Sequence, residues 1–172
     1  MAHYNDRMQK QPPPGDGSTN VVTLRPVEDG DLPILYEHQR DPESVRMSAF
    51  PAREREPYMA HMAMIRANPS NMILTILFDG QVAGSMFSWE QDGHREVGYR
   101  VGREFWGRGI ATRALAALLQ EVTERPLFGY TAEHNIASMR VLQKCGFVRA
   151  GETKGVLNVG GELVTEVFFR LD

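Results

Sequence analysis

The stretch VGYRVGREFWGRGIAT, Val97 to Thr112, reads as a short apolar strand followed by a Gly-x-Gly turn that opens directly into a helix. The first backbone N–H groups of a helix lack partners within it and lie at the positive end of its dipole. Gly107 and Gly109 let an anion approach those groups closely, so the junction predicts a polyphosphate ligand near residues 107–112. Arg108 either adds charge to that ligand site or is a solvated surface arginine. Two glycines alone carry little weight, because such junctions also use glycine for tight turns and close packing.

Upstream, Val21 to Pro26 is a strand rich in β-branched residues, and Asp29 or Asp31 caps a helix with Leu32, Leu35 and Tyr36 on one face. Glu54 to Ala67 repeats the helical spacing through Tyr58, Met62 and Ile65. Met72 to Phe78 and Gln81 to Glu90 form a hairpin about Asp79-Gly80, and a second turn at Gln91-Asp92-Gly93 returns the chain as a strand from Glu96 to Val101. The helix that begins near Gly109 carries Ala114, Leu115, Leu118 and Leu119 and is ended by Pro126. Leu127 to Thr131 is the next strand. A helix separates it from Glu96 to Val101, so the two are expected as parallel neighbours in a right-handed crossover. A helix from Ile136 to Cys145 stops at Gly146, and Phe147 to Lys154 pairs with Leu163 to Leu171 about Asn158-Val159-Gly160-Gly161.

A chain of 172 residues suits one well-buried domain. Residues 1–20, rich in Pro, Gly, Gln and Asn and without the apolar core of an export signal, read as a disordered leader to a single domain over 21–172. A net charge of −3 gives no basic footprint for nucleic acid, and no apolar run approaches membrane-spanning length. The lone Cys145 forbids an internal disulfide and fits a cytoplasmic setting, as a packing residue in a monomer or homodimer. No Gly-Lys-Ser/Thr follows the glycines, and an antiparallel meander precedes them. Walker-type and Rossmann-type sites are therefore disfavoured.

EVGYRVGREFWGRGIATRAL at 96–115 and TAEHNIASMRVLQKCGFVRAGE at 131–152 together resemble the GNAT superfamily of acyl-CoA-dependent N-acetyltransferases. The second block carries much of the likeness, through Asn135, Ser138, Val141, Leu142, Lys144, Gly146 and Phe147. The resemblance runs from about Val21 to Leu171 and looks closest to the branch that acetylates ribosomal-protein N-termini. It departs at Glu104, where the family often has Gln or Arg. It implies an α/β (α+β) fold: a mixed, mostly antiparallel central sheet, a parallel splayed strand pair, and flanking helices.

The resemblance further implies acetyl-CoA as co-substrate and no metal. Pantetheine would pair with the backbone of Tyr99, Arg100 and Val101, the pyrophosphate would sit on the backbone N–H groups of Gly107, Arg108, Gly109, Ile110, Ala111 and Thr112, and Trp106 would also contact the cofactor. Asn135 would hydrogen-bond pantetheine and Ser138 would donate to the departing thiolate, although Asn and Ser at a helix start also serve as plain caps. Attack on a thioester requires a neutral amine. Neutralising a lysine amine at pH 7 costs about 4.6 kcal/mol, and an α-amine only about 1 to 1.4. Glu96 is the leading base, directly or through water, with Glu133 and Glu90 as alternatives and His94 and His134 also available. The acceptor is a primary amine, on a peptide N-terminus or a small molecule. A non-catalytic acyl-CoA-binding module is the reading of a different class. Arg40, Arg46, Arg53 and Arg55 either meet an acidic acceptor or are solvated helix faces.

Overall fold

A computed structural model describes residues 19–48, 51–157 and 163–172. The elements follow in the order β1 (Val22–Pro26), α1 (Leu32–Arg40), α2 (Pro42–Met47), α3 (Arg55–Ala67), β2 (Met72–Phe78), β3 (Gln81–Gln91), β4 (His94–Val101), α4 (Ile110–Glu121), β5 (Leu127–Ala132), α5 (Ile136–Lys144), β6 (Val148–Leu157) and β7 (Leu163–Leu171). They build one seven-stranded sheet in the order β1-β2-β3-β4-β5-β7-β6. Only β4 and β5 run parallel; the other neighbours are antiparallel. The meander rests on two turns read from sequence. Asp79 and Gly80 have φ 48° and 80°, and Asp92 and Gly93 have φ 50° and 81°, the double left-handed geometry that matches strand twist.

One face of the sheet packs on α4 and α5. Val97, Ile110, Ala114, Leu115, Leu118, Leu127, Leu142, Val167 and Phe169 form its core, with Cys145 packed at its margin. The other face packs on α1 and α3 through Leu35, Tyr36, Tyr58, Met62 and Ile73. Each helix turns one apolar stripe to the sheet, as its spacing requires.

Four features differ from the sequence reading. Helix α2 was not foreseen; Asp41 caps it by accepting from the Ser44 N–H at 2.9 Å, and Pro42 sits in its first turn. Asp31 makes no side-chain cap to α1. Its carboxylate is buried instead, accepting from both Arg25 guanidinium nitrogens at 2.6 and 2.8 Å, from Thr75 Oγ1 at 2.6 Å and from the Glu28 N–H at 2.9 Å. The strand expected from Glu96 begins two residues earlier, at His94, because Asp92-Gly93 closes a two-residue turn. Thr19 and Asn20, expected in the leader, are tied down where the Asp79 carboxylate accepts from Thr19 Oγ1 and the Asn20 N–H. Residues 1–18 and the turn at Asn158 to Gly161 lie outside the described residues.

Candidate active site

The parallel ladder of β4 and β5 is only three pairs long: Arg95 with Leu127, Glu96 with Phe128, Val97 with Gly129. Beyond it the strands part. Gly98 to Val101 keep β3 as their neighbour and Tyr130 to Ala132 keep β7, so facing backbone edges are left open to one another. A slot of this kind accepts an extended chain with alternating amides. At its rim the Trp106 indole N–H donates to the Val101 carbonyl at 2.8 Å, so one lone pair of that expected backbone partner is engaged within the protein.

The slot leads to the glycine turn. Gly107 and Gly109 have φ 75° and 68°, and nothing lies within 4 Å of where a Cβ would stand on either. The first bond of α4 runs from the Arg113 N–H to the Gly109 carbonyl, which leaves the amides of Ile110, Ala111 and Thr112 ahead of the hydrogen-bonded ladder. Arg108 is exposed, its guanidinium over the rings of Phe78 and Phe105 at 5.7 and 5.9 Å. Arg113, which the sequence reading passed over, donates to the Arg108 carbonyl at 3.0 Å and to the Asn20 carbonyl. It thereby ties the glycine turn to the residues ahead of β1. Gly109→Ala is expected to lower stability by about 1–2 kcal/mol, the cost of a side chain in the left-handed region, and to weaken coenzyme A binding several-fold. Thermal unfolding and titration calorimetry check the two effects.

Strand alternation sorts the remaining candidates between two faces. Tyr99 and Val101 pack against the core under α4 and α5. There the Tyr99 hydroxyl lies 3.0 Å from Ser138 Oγ and 3.1 Å from the Ser138 carbonyl, and burial pushes the phenol pKa up. Asn135 caps α5, accepting from the Ser138 N–H at 3.1 Å, and its amide donates to the Met47 carbonyl at 3.0 Å. Asn135 is thus a cap, as a residue at a helix start can be, whereas the Ser138 hydroxyl caps nothing and turns to Tyr99. The Cys145 thiol, pushed up by burial, donates to the Thr112 carbonyl at 3.4 Å and ties α5 to α4.

The opposite face carries Glu96. Its side chain is only 12% exposed, and its Oε1 lies 3.1 Å from His94 Nε2, with the Tyr130 hydroxyl 3.5 Å from the same nitrogen. Burial raises the Glu96 pKa, and the neighbouring His94 partly offsets this. Glu166, which no sequence motif singled out, joins the cluster from β7. Burial and then the Glu96 charge raise its pKa. The rings of Phe128, Tyr130 and Phe168 line this face, Tyr130 on Phe168 at 5.7 Å and His94 on Phe128 at 4.7 Å. The alternative bases lie elsewhere. Glu133 is exposed and faces Arg149 at 3.8 Å, Glu90 is exposed and paired in register with Arg95, and His134 contacts the Arg46 carbonyl. Glu104 lies 3.3 Å from the buried His38, which links α1 to the loop before the glycine turn. Among the described residues no three His, Cys, Asp or Glu gather as a metal site, and no helix is long and apolar enough to cross a membrane.

A sheet parted at one parallel pair, with a helix start at its mouth, is the architecture of an acyl-group transferase. Residues 22–148 match the acetyltransferase (GNAT) domain family, and the chain belongs to that family. The chain is similar to the uncharacterised N-acetyltransferase p20 of Bacillus licheniformis, 25% identical with 89% of this chain and 93% of that protein covered. Among solved structures, RimL, a ribosomal L7/L12 α-N-protein acetyltransferase in complex with coenzyme A, superposes with TM-score 0.76 at 16% identity, covering 90% of this chain and 95% of its own. The spermidine N-acetyltransferase of Vibrio cholerae, in complex with coenzyme A and spermine, gives 0.77 at 15% identity, covering 87% and 94%.

Proposed function

We propose that the protein transfers the acetyl group of acetyl-CoA to a primary amine, on a protein or peptide N-terminus or on a small molecule, by direct attack within a ternary complex. The observation that carries this reading is the slot between β4 and β5, with a buried carboxylate on one face and a hydroxyl on the other. Acetyl-CoA supplies an activated acyl group, and RimL and the Vibrio enzyme, both solved with coenzyme A, support the choice of carrier.

The amides of residues 107–112 and Arg108 take the diphosphate, and the open edges of Tyr99 to Val101 take the pantetheine amides. Glu96, directly or through water, draws the proton from the ammonium form of the acceptor, and its raised pKa makes it a better base than an exposed glutamate. Ser138 donates to the departing thiolate. The Tyr99 hydroxyl, within reach of both the Ser138 carbonyl and Oγ, supports this by donating its one proton to Oγ when the serine proton turns to the sulfur.

Thiol release from acetyl-CoA, measured over a panel of N-terminal peptides, polyamines and amino acids, tests the reading. Release that depends on an amine is expected, with Ser138→Ala lowering kcat about 10- to 100-fold, the worth of one hydrogen bond to a charged group, at unchanged acetyl-CoA affinity. Binding of coenzyme A without amine-dependent release would overturn it in favour of a non-catalytic acyl-CoA-binding module.

A further inference from the structure

Arg100 stands on the Glu96 face of β4, three residues beyond Val97, the last to pair with β5. Its side chain is directed away from α4 and α5, towards the end of α1 and the residues after α2. Nη1 donates to the Gln39 carbonyl at 2.9 Å, and Nη2 reaches Ser48 Oγ only at 3.5 Å. It is half-buried. Among the described residues no carboxylate pairs with it or with Arg53, whose backbone the Gln39 side-chain amide clamps at 2.7 and 2.9 Å. The charged and titratable groups that Arg100 feels are Arg53, a like charge, and the Tyr58 phenol, itself pushed up to about 12 by burial. A guanidinium cannot lose its charge to relieve desolvation, whereas the two glutamates of this face can by taking up a proton, so this charge calls for an anion. The diphosphate site lies at the α4 start, on the other side of the sheet.

We infer that Arg100, assisted by Arg53, binds an anionic group of the acceptor, and that the acceptor is therefore an amine carrying a carboxylate. The proposal rests on the transferase reading above and names its substrate class. Glu96 and Arg100 lie four residues apart on one strand face, about 13 Å of extended backbone, with Gly98 between them. A Cβ on Gly98 would come within 3.1 Å of the Trp89 ring, so the glycine lets that ring lie flat along the strand between the two charged groups. An acceptor only a few ångströms long does not bridge this distance itself: with its carboxylate on Arg100, its nitrogen lies over the Trp89 ring and reaches Glu96 through water. Free amino acids and peptides with an acidic first residue share that chemistry.

Matched acceptors test it: 4-aminobutyrate against n-butylamine, which are similar in basicity, and dipeptide amides beginning with Asp against Asn. The carboxylate member of at least one pair is expected to have kcat/KM about 10- to 100-fold higher, the range for charge-assisted hydrogen bonds. The pair that responds separates the two sources. Arg100→Met is expected to bring that ratio to within about twofold of unity, Arg100→Lys to keep part of it, and the exposed Arg53→Gln to lower it modestly without threatening the fold. Neutral members used as well or better, or a preference that survives Arg100→Met, overturn the assignment and leave the transferase reading standing. No stimulation by any amine of the panel overturns both.

Discussion

Glu96→Gln is expected to lower kcat by about 10²- to 10⁴-fold at pH 7 while leaving the affinity for coenzyme A unchanged. The size of the loss depends on the acceptor. An α-amine is within about 1 to 1.4 kcal/mol of its neutral form at that pH and sits at the low end, whereas an alkyl amine lies several kcal/mol away and sits at the high end. The pH profile gives the sign. Glu96 accepts a proton only as the carboxylate, so the wild-type rate rises as pH climbs through its pKa. Burial moves that limb above the ordinary glutamate value of 4.5. In Glu96→Gln the limb is absent and only the acceptor's own ionisation remains. Steady-state kinetics from about pH 5 to pH 9 with both protein forms distinguish this from a structural role, which would lower the rate without removing a limb.

Asp31→Ala is expected to cost about 3 kcal/mol of folding stability, read from urea unfolding. It removes the acceptor of four hydrogen bonds and strands the Arg25 guanidinium and the buried Thr75 hydroxyl. The estimate is the lower end of the range for a broken buried pair, because Arg25 keeps some access to water. The same network predicts an acid response. Its hydrogen bonds, that from Arg25 foremost, lower the folded-state pKa of Asp31 from 3.8 to about 2. A depressed carboxylate contributes stability that is complete above the unfolded-state pKa and disappears as pH falls from about 4 towards 2. That share is about 2 kcal/mol, and it should be missing from the pH dependence of Asp31→Ala.

Much of this fold was legible where local chemistry acts alone. Asp79-Gly80 and Asp92-Gly93 announce their turns because few other residue pairs take two positive φ values, and Gly109 marks the start of α4 for the same reason. The six-residue α2 escaped notice although Asp41-Pro42 carries its start signal, since its apolar spacing is too short to show a period. The placement of β7 between β5 and β6 is a choice of partner, and nothing in either strand's own residues states it. The site divides in the same way. The glycine turn, Asn135 and Ser138 lie within contiguous motifs. Glu166 comes to Glu96, and Arg100 to Gln39, from elements some sixty residues or more apart, and only packing brings them together. Glu133 and Glu90, the alternatives to Glu96 in the sequence, are both exposed in the fold, one facing Arg149 and the other paired in register with Arg95.

Because β6 pairs in the sheet only with β7, a chain emerging from the ribosome as far as residue 157 has no strand to pair it with. The β5 edge stays bare during the same interval, and the wall carrying Glu166 does not yet exist. Competence to engage an acceptor should therefore arrive late in synthesis, in a single closing step, rather than growing in as each earlier element forms.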